Sequence, residues 1–284
     1  MEVRHFLTLI KVRITGLVTL TAMAGFGLAP GHVAETEWMM RFLSVTAGVF
    51  LITAGASAVN MFLERRTDAL MDRTRARPLP MNILSPGMAL AIGGVISLAG
   101  LLILLPLGVL PAGLAALSWI LYIVVYTPMK ALTSLNTVVG AVPGALPPLI
   151  GWTATGSPLS MFALIPFLLM FAWQVPHFLA LAWMYREDYE RGGLQMLSVE
   201  DKEGGMVGRQ ALLYAICLIP IAAAPLMGRG ASLPGALLLI ALSLVFVGFA
   251  ARFAMHRDRK TAASLFGVSL LYLPCAFGLM FLLF

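Results

Sequence analysis

Long apolar runs alternate with short stretches that contain charge along the whole chain. An α-helix needs about 20 apolar residues to cross the hydrocarbon core of a bilayer, and most of these runs are close to that length. We therefore predict an all-α polytopic membrane protein, a bundle of nine transmembrane helices. The predicted spans are residues 14–30, 42–63, 87–105, 111–127, 136–152, 160–184, 210–228, 233–252 and 264–284.

The basic residues test this number of spans, because Lys and Arg collect in the cytoplasmic connections of membrane proteins. With the N-terminus in the cytoplasm, nine spans leave only Arg41 and Arg229 on the outer side among the 19 Lys and Arg residues. Adding or removing one span would scramble this asymmetry. The pattern predicts a multi-pass protein of a bacterial-type cytoplasmic (inner) membrane, with its N-terminus in the cytoplasm and its C-terminus outside.

The composition excludes several other classes of protein. Hydrophobic residues make up 60% of the chain and charged residues 11%, against about a quarter charged in a soluble domain. The formal net charge of +6 arises from short loops beside a membrane, so we do not expect nucleic-acid binding. No Gly/Ser linker or large polar block divides the chain, and residues 1–284 are predicted to form a single transmembrane domain.

The predicted span 136–152 contains Pro143, Pro147 and Pro148. A proline inside a helix removes a backbone donor and disturbs the preceding turn. Within a membrane, the carbonyl groups that lose their partners are tolerated only where neighbouring helices or a cavity satisfy them. We therefore expect this span to be bent or broken, and to lie beside a cavity.

Polar side chains recur at four-residue steps from the end of the second predicted span into the loop that follows. They are Asn60, Glu64, Asp68 and Asp72. Each step turns a helix only about 40° beyond a full circle, so all four can address one region. Carboxylate and amide oxygens suit Mg²⁺, which proteins usually hold together with a substrate's phosphates. The alternative is a solvated face on which these acids pair with the arginines of residues 65–77.

A second acidic pair, Glu187 and Asp188, follows the sixth predicted span. Two acidic sites at one cavity suggest Mg²⁺ ions that hold a diphosphate, with arginines neutralising the remaining charge. An allylic diphosphate held in this way would ionise toward a carbocation, which needs aromatic faces and protection from water. The candidate faces, each of which can equally belong to an interfacial belt, are Trp152, Trp173, Phe178, Trp183 and Tyr126.

His177 is the only histidine inside a predicted span. A buried histidine often does no more than hydrogen-bond a neighbour. Ionisable groups within a membrane are nevertheless candidates for function, and an imidazole can ligate haem iron or move a proton.

Three stretches of the chain carry a resemblance to a known family. They are NMFLERRTDALMDRTRARPLP at 60–80, YTPMKALTSLNTVVGAVPGALPPLIGW at 126–152 and WQVPHFLALAWMYREDYERGGLQML at 173–197. On these stretches the chain resembles the intramembrane UbiA-type prenyltransferases and, among them, the protoheme IX farnesyltransferase (haem O synthase) family. The resemblance implies a helical bundle around a central cavity open toward the cytoplasm. It further implies Mg²⁺-dependent transfer of a farnesyl group from farnesyl diphosphate to a vinyl group of haem B (protohaem IX), giving haem O.

The resemblance also implies roles for particular residues. The metal ligands it implies are Asn60, Glu64, Asp68, Asp72, Glu187 and Asp188. Of these, Asn60, Asp68, Asp72 and Asp188 would be catalytic, and His177 would contact haem. The candidates for diphosphate contact, which can equally be charges that set the topology, are Arg75, Arg77, Lys130 and Arg186. The superfamily commonly has Asp where Glu64 stands.

The expected partners are farnesyl diphosphate, haem B and the lipid bilayer, together with haem A synthase or terminal oxidase assembly factors, and no nucleic acid. One alternative is a prenyltransferase for a quinone precursor or a chlorin, against which the 173–197 stretch argues. A second alternative is a membrane transporter. A transporter would more naturally place its essential charge near the middle of the membrane, whereas these acids cluster at one face.

Overall fold

The computed structural model describes residues 2–30, 34–228 and 232–283, and every regular element within these ranges is a helix. Arg229, expected on the outer side, lies outside the described residues. The α-helices are α1 Val3–Leu9, α2 Val12–Leu28, α3 Glu35–Asp68, α4 Pro86–Leu104, α5 Val109–Ile120, α6 Thr127–Met129, α7 Asn136–Ala145, α8 Pro147–Ala154, α9 Met161–Met184, α10 Arg186–Arg191, α11 Leu197–Glu200, α12 Gly205–Ala223, α13 Leu233–His256 and α14 Arg259–Met280. A π-helical segment, Leu121–Tyr126, joins α5 to α6.

Eight spans in the described ranges are long and apolar enough to cross a membrane. The ninth is formed by α1 and α2, which meet at an angle of 53°. The prediction of an all-α membrane bundle is therefore confirmed, with nine spans when this bent pair counts as one. The second span differs from its predicted range 42–63, because α3 runs on to Asp68 and keeps most of the acidic stripe on one helix.

Several helices begin where the sequence supplies a cap. The side chains of Ser85, Ser160, Ser232 and Asp258 each accept a hydrogen bond from a backbone N–H in the first turn of α4, α9, α13 and α14 respectively. A cap of this kind stabilises a helix by about 1 kcal/mol. In α4 a proline at the first position adds a backbone angle that already suits a helix.

The proline-rich span is broken, as predicted. It consists of α7 and α8, which are separated at Leu146. Pro147 has no N–H to donate to the Pro143 carbonyl, and the hydroxyl of Ser118 donates to that carbonyl instead, at 2.9 Å. A neighbouring helix thus satisfies the group that the break exposes, which is what the apolar surroundings require.

Helices α2 and α8 approach each other so closely that glycine is needed on both sides. A Cβ atom on Gly151 would lie 1.8 Å from the Ala22 carbonyl oxygen, and one on Gly25 would lie 2.0 Å from that of Pro148. Small residues permit this backbone contact between membrane helices. The contact fixes α2, whose first turn forms part of the cavity described below.

Candidate active site

A cavity of about 190 Å³ opens where the C-terminal ends of α3 and α9 meet the start of α2. Its described lining contains four basic and two acidic side chains, a formal excess of two positive charges, beside apolar and aromatic groups. The lining residues are Lys11, Ile14, Glu64, Asp68, Met71, Arg73, Arg77, Tyr126, Lys130, Thr137, Phe178, Leu181, Tyr189, Leu194 and Met196. Such a cavity suits a ligand with an anionic head and an apolar tail.

Asn60 is fully buried on α3, one turn before the cavity lining. Its amide oxygen accepts a hydrogen bond from Lys11 Nζ at 2.6 Å, and its Nδ2 donates to Thr127 Oγ1 at 3.0 Å. The threonine hydroxyl donates in turn to the Tyr122 carbonyl at 2.8 Å. These hydrogen bonds fix the Asn60 amide so that its oxygen faces the Lys11 side chain in the cavity.

Glu64 lies one turn further along α3 and pairs with Lys130, with Oε1 2.6 Å from Nζ. The same ammonium lies 4.6 Å from the centre of the Tyr126 ring. Burial disfavours the charge on Lys130, but the Glu64 carboxylate outweighs that effect and holds the lysine pKa well above its ordinary value. Lys130 is therefore a permanent cation at the cavity wall.

The π-helical segment that carries Tyr122 and Tyr126 has no counterpart in the predictions from sequence. A π-helical turn inserts one residue into a helix and is common at functional sites. Here it places Tyr126 against the cavity and Gly140, where a Cβ atom would lie 2.4 Å from the tyrosine ring.

Asp68 ends α3 and is almost completely buried, with 1% of its surface exposed. Its Oδ2 accepts a hydrogen bond from the Arg77 guanidinium at 2.7 Å. Its Oδ1 is buried and has no hydrogen-bond partner in the described part of the chain. A buried carboxylate oxygen without a partner is costly, so this atom marks a place for a positive ligand.

Asp72 and Asp188 lie side by side. Asp72 belongs to the first acidic loop, which connects α3 to α4, and Asp188 belongs to the second, which connects α9 to α12 and includes α10. The Asp188 carboxylate accepts hydrogen bonds from the backbone N–H groups of Asp72 at 3.1 Å and Arg73 at 3.3 Å. Arg191 joins the two acids by donating to both carboxylates, at 2.6 Å from Asp72 Oδ2. Burial opposes ionisation of Asp188, but these donors prevail and lower its pKa. Asp188 thus ties the second loop to the first.

The second loop is also fastened to the segment after α6. The backbone N–H of Gln195 donates to the Lys130 carbonyl at 2.7 Å, and Asn136 Nδ2 donates to the Gln195 carbonyl at 2.8 Å. These bonds hold Leu194 and Met196 in the cavity lining. The loop therefore forms the apolar side of the cavity mouth.

The structure brings some predicted site residues to the cavity but not others. Glu64, Asp68, Arg77 and Lys130 line it, and Asn60 lies directly behind Lys11. The other residues with predicted roles also lie outside the lining: Asp72, Arg75, His177, Arg186, Glu187 and Asp188. Arg75 is exposed and pairs with the half-exposed Asp72, while Arg186 is exposed and lies over the Trp183 ring, 4.7 Å from its centre.

Lys11 and Arg73 line the cavity although sequence reasoning did not assign them to it. Arg73 donates to the Tyr189 hydroxyl at 3.2 Å, with its guanidinium over the rings of Tyr185 and Tyr189. The one feature of the sequence that could have indicated Arg73 is its position between Asp72 and the other arginines of the loop. No feature of the sequence indicated Lys11, because its position in the cavity lining depends on the bend between α1 and α2, which hydropathy does not reveal.

The predicted aromatic faces also separate into two groups. Phe178 and Tyr126 line the cavity, whereas Trp152, Trp173 and Trp183 belong to the buried core. The face of Tyr126 lies beside the Lys130 ammonium. Phe178 is therefore the better placed of the two to face an apolar or cationic ligand group.

The described residues contain no group of three or more His, Cys, Asp or Glu side chains that converge as metal ligands. Glu64, Asp68 and Asp72 instead follow one another along α3 and into the segment after it, and each is paired with a basic side chain of the protein. The atom that fits a cation best is the unpartnered Oδ1 of Asp68, beside a cavity to which Glu64 also contributes. Hard divalent cations prefer oxygen ligands of this type.

His177 lies on α9 between two aromatic rings, with its centre 4.8 Å from those of Trp173 and Phe266. Its Nδ1 is 2.7 Å from Ser269 Oγ, whose hydroxyl donates to the Phe266 carbonyl. Because a hydroxyl has one hydrogen, Nδ1–H must be the donor to Ser269. This leaves the lone pair on Nε2, the nitrogen on the opposite side of the ring.

The chain resembles known membrane prenyltransferases in sequence and in fold. The chain matches the UbiA prenyltransferase family over residues 18–282. A protoheme IX farnesyltransferase of Solibacter usitatus is 40% identical over 291 residues, which cover 98% of each chain. The mitochondrial protoheme IX farnesyltransferase of Homo sapiens is 38% identical over 274 residues, covering 95% of this chain and 60% of the human one. The structure of a UbiA homologue from Archaeoglobus fulgidus bound to GPP and Mg²⁺ shares the fold, with a TM-score of 0.71 at 16% identity, over 97% of this chain and 99% of that one. The chain therefore belongs to the UbiA prenyltransferase family, among its protoheme IX farnesyltransferases.

Proposed function

We propose that this protein transfers the farnesyl group of farnesyl diphosphate to a vinyl group of haem B and so forms haem O. The observation that carries the proposal is a cavity with an excess of positive charge, enclosed by an apolar bundle, in a chain 40% identical to a protoheme IX farnesyltransferase along nearly its whole length. The charged wall suits a diphosphate, and the apolar surroundings suit both an isoprenoid tail and a porphyrin.

The reaction breaks the bond between the allylic carbon and the diphosphate oxygen. The vinyl group of haem B supplies the electron pair for the new carbon–carbon bond, and diphosphate leaves. The positive charge that then lies beside the porphyrin is quenched by water, which loses a proton. A hydroxyethylfarnesyl group thereby replaces the vinyl group.

The residues that would hold the leaving group are Lys130, Arg77 and Arg73. All three line the cavity, and the first two were expected from the sequence. Arg73 takes the place of Arg75 and Arg186, which lie away from the lining. Charge-assisted hydrogen bonds from such groups bind phosphate oxygens strongly and favour departure of the diphosphate.

Mg²⁺ is the proposed cofactor. The residues that would hold it are Asn60, Glu64, Asp68 and Asp72, and the unpartnered Asp68 Oδ1 supports that set. When bound, the ion would neutralise charge on the diphosphate and so make the diphosphate a better leaving group.

Asp188 is proposed to hold the backbone of Asp72 and Arg73 in place. Its carboxylate oxygens accept hydrogen bonds from both backbone amides and from Arg191. Glu187 is exposed and lies outside the cavity lining, so it is not among the proposed metal ligands.

His177 is proposed to contact haem through Nε2. The Nδ1–H bond to Ser269 fixes the tautomer that carries the Nε2 lone pair. A hydrogen bond from the other ring nitrogen is what orients a histidine that binds a metal. The stacked rings of Trp173 and Phe266 hold the imidazole plane and add apolar surface for a porphyrin.

The bundle is proposed to form a single domain over residues 1–284 in a cytoplasmic (inner) membrane. The cavity would face the cytoplasm, because the basic loops that line it belong on that side by the positive-inside rule. Haem O, which is too apolar to leave into water, would pass to haem A synthase or to terminal oxidase assembly factors.

The test uses the full chain purified in detergent and supplied with haem B, farnesyl diphosphate and Mg²⁺. We expect a more hydrophobic haem on reverse-phase chromatography, loss of that product on addition of EDTA and its return on addition of excess Mg²⁺. A matched reaction contains an aromatic quinone precursor in place of haem B. Prenylation of that precursor with no change in haem B would refute the proposal and favour the alternative acceptor.

A further inference from the structure

Gln174 is a polar side chain in the interior of α9, with only 4% of its surface exposed. Its Nε2 donates to the Ala141 carbonyl of α7 at 3.3 Å and to the Met170 carbonyl of its own helix at 3.1 Å. Both hydrogens of the amide nitrogen are thereby used, and the two carbonyl acceptors identify which end of the amide is the nitrogen. The amide is therefore held in one orientation between α7 and α9.

The oxygen of this amide is the end that has no partner. Oε1 accepts no hydrogen bond from any residue that the structure describes, whereas Nε2 makes two bonds. Gly144 leaves room for the oxygen, since a Cβ atom at that position would lie 2.1 Å from Oε1. An amide oxygen enclosed in an apolar bundle without a donor is destabilising. Oε1 therefore marks a place for a small hydrogen-bond donor that is not part of the chain.

This oxygen lies close to the cavity and to the proposed haem contact. Thr137 on α7 and Phe178 on α9 line the cavity. One helical turn farther into the bundle on the same two helices, Ala141 and Gln174 are joined by the amide hydrogen bond. His177 is three residues from Gln174 along α9, a spacing that brings side chains to the same part of a helix surface. A donor bound at Oε1 is thus near both proposed substrates.

We propose that Gln174 positions the water molecule that completes the reaction, an inference that rests on the proposed function. Formation of the carbon–carbon bond leaves a positive charge on the carbon attached to the porphyrin. A water that donates one hydrogen to Oε1 presents its lone pair to this carbon, the carbon–oxygen bond forms, and one proton of the water passes to the departed diphosphate. The amide oxygen is too weak a base to keep a proton, so its part is to orient the water.

The proposal concerns a choice between two products. Where no water is held beside the cation, the adjacent carbon loses a proton to the diphosphate instead, and the product is an alkene lighter than haem O by one water. The ratio of this alkene to haem O therefore reports the fate of the cation. A residue that merely supports the fold would change the rate of the reaction and leave the ratio unchanged.

The test compares variants of Gln174 in the full chain. Gln174→Met has a similar length without the amide, and Gln174→Glu keeps a carbonyl oxygen in the side chain. Ser118→Ala is the matched control, because it removes a different hydrogen bond to α7, the one to the Pro143 carbonyl. Each protein receives haem B, farnesyl diphosphate and Mg²⁺ in detergent. Reverse-phase chromatography with mass spectrometry measures the two products, and thermal denaturation checks folding.

We expect the wild type, Gln174→Glu and Ser118→Ala to form mainly haem O. In Gln174→Met the ratio of alkene to haem O should rise at least about tenfold, the effect of losing one hydrogen bond to the water. Gln174→Ala, which cannot overfill the space beside Gly144, should show the same rise and replaces Gln174→Met if the latter does not fold.

A wild-type ratio in a folded Gln174→Met or Gln174→Ala would overturn the inference and leave the proposed function standing. The same rise in Ser118→Ala would also overturn it, because looser packing of α7 would then be the cause. Absence of both products with the wild type would overturn the inference and the proposed function together.

Discussion

Arg77 and Arg75 provide a sharp test of the site, because they are two residues apart and differ in what they contact. Arg77 lines the cavity and pairs with Asp68, which is 1% exposed. Arg75 pairs with Asp72, and their side chains are 68% and 52% exposed. The sequence alone makes the two arginines equivalent candidates for diphosphate contact. The structure predicts that only one of them matters.

Replacing Arg77 with Gln leaves the Asp68 carboxylate buried without its cation. Removal of one partner of a buried pair costs about 3–5 kcal/mol of stability, whereas an exposed pair such as Arg75–Asp72 contributes about 0–1 kcal/mol. In catalysis, loss of one charge-assisted hydrogen bond to the diphosphate costs about 1.5–3 kcal/mol. That loss corresponds to a decrease of about 10- to 160-fold in kcat/KM.

The assay measures haem O formation at varied farnesyl diphosphate and saturating haem B, with the melting temperature of each variant in detergent measured in parallel. Arg77→Gln should lower both the melting temperature and kcat/KM, while Arg75→Gln should leave both close to wild type. Equal effects of the two substitutions would refute the reasoning. So would a normal kcat/KM in a folded Arg77→Gln.

Three further predictions concern the acidic residues and the histidine. Asp68→Asn and Asp72→Asn should each eliminate turnover while the protein still inserts into membranes, as measured by haem O formation and membrane fractionation; normal activity of both would remove the metal assignment. His177→Ala should weaken haem B binding, measured by absorbance titration, and leave pyrophosphate affinity unchanged; normal haem affinity would exclude His177. Because the fold lowers the pKa of Asp188, its contribution to stability is present above the unfolded-state pKa of about 3.9 and is lost as the pH falls through the lower folded value. The melting temperatures of wild type and Asp188→Asn should therefore differ by a constant amount from pH 8 to about pH 5 and converge in stronger acid, whereas a difference that persisted there would contradict this role.

The spans were predictable because the thickness of a bilayer fixes the length of an apolar run. The predicted range 87–105 became Pro86–Leu104, and 160–184 became Met161–Met184. The break in the proline-rich span was predictable for an equally local reason, since a proline removes a donor wherever it occurs. The extension of α3 to Asp68 could not be predicted in this way. Its last turns lie beyond the apolar run, and contacts with distant segments, such as that of Glu64 with Lys130, hold them.

The acidic wall could be predicted from spacing, but its partners could not. Asn60, Glu64 and Asp68 follow one helix, so their common direction is a property of the local sequence. Lys11 and Lys130 reach them from 49 and 66 positions away in the chain. Such pairs depend on how the helices pack, and the π-helical segment that places Tyr126 near Lys130 is equally invisible to hydropathy.

The internal pairing of the cavity charges bears on how the protein reaches the membrane. Glu64, Asp68 and Asp188 each have a basic partner from the same chain, so the buried acids are neutralised before any ion or substrate arrives. The newly made bundle can therefore insert and pack in the absence of a divalent cation. Folding and cation binding are then separate events, and removal of divalent cations would leave the bundle folded in the bilayer.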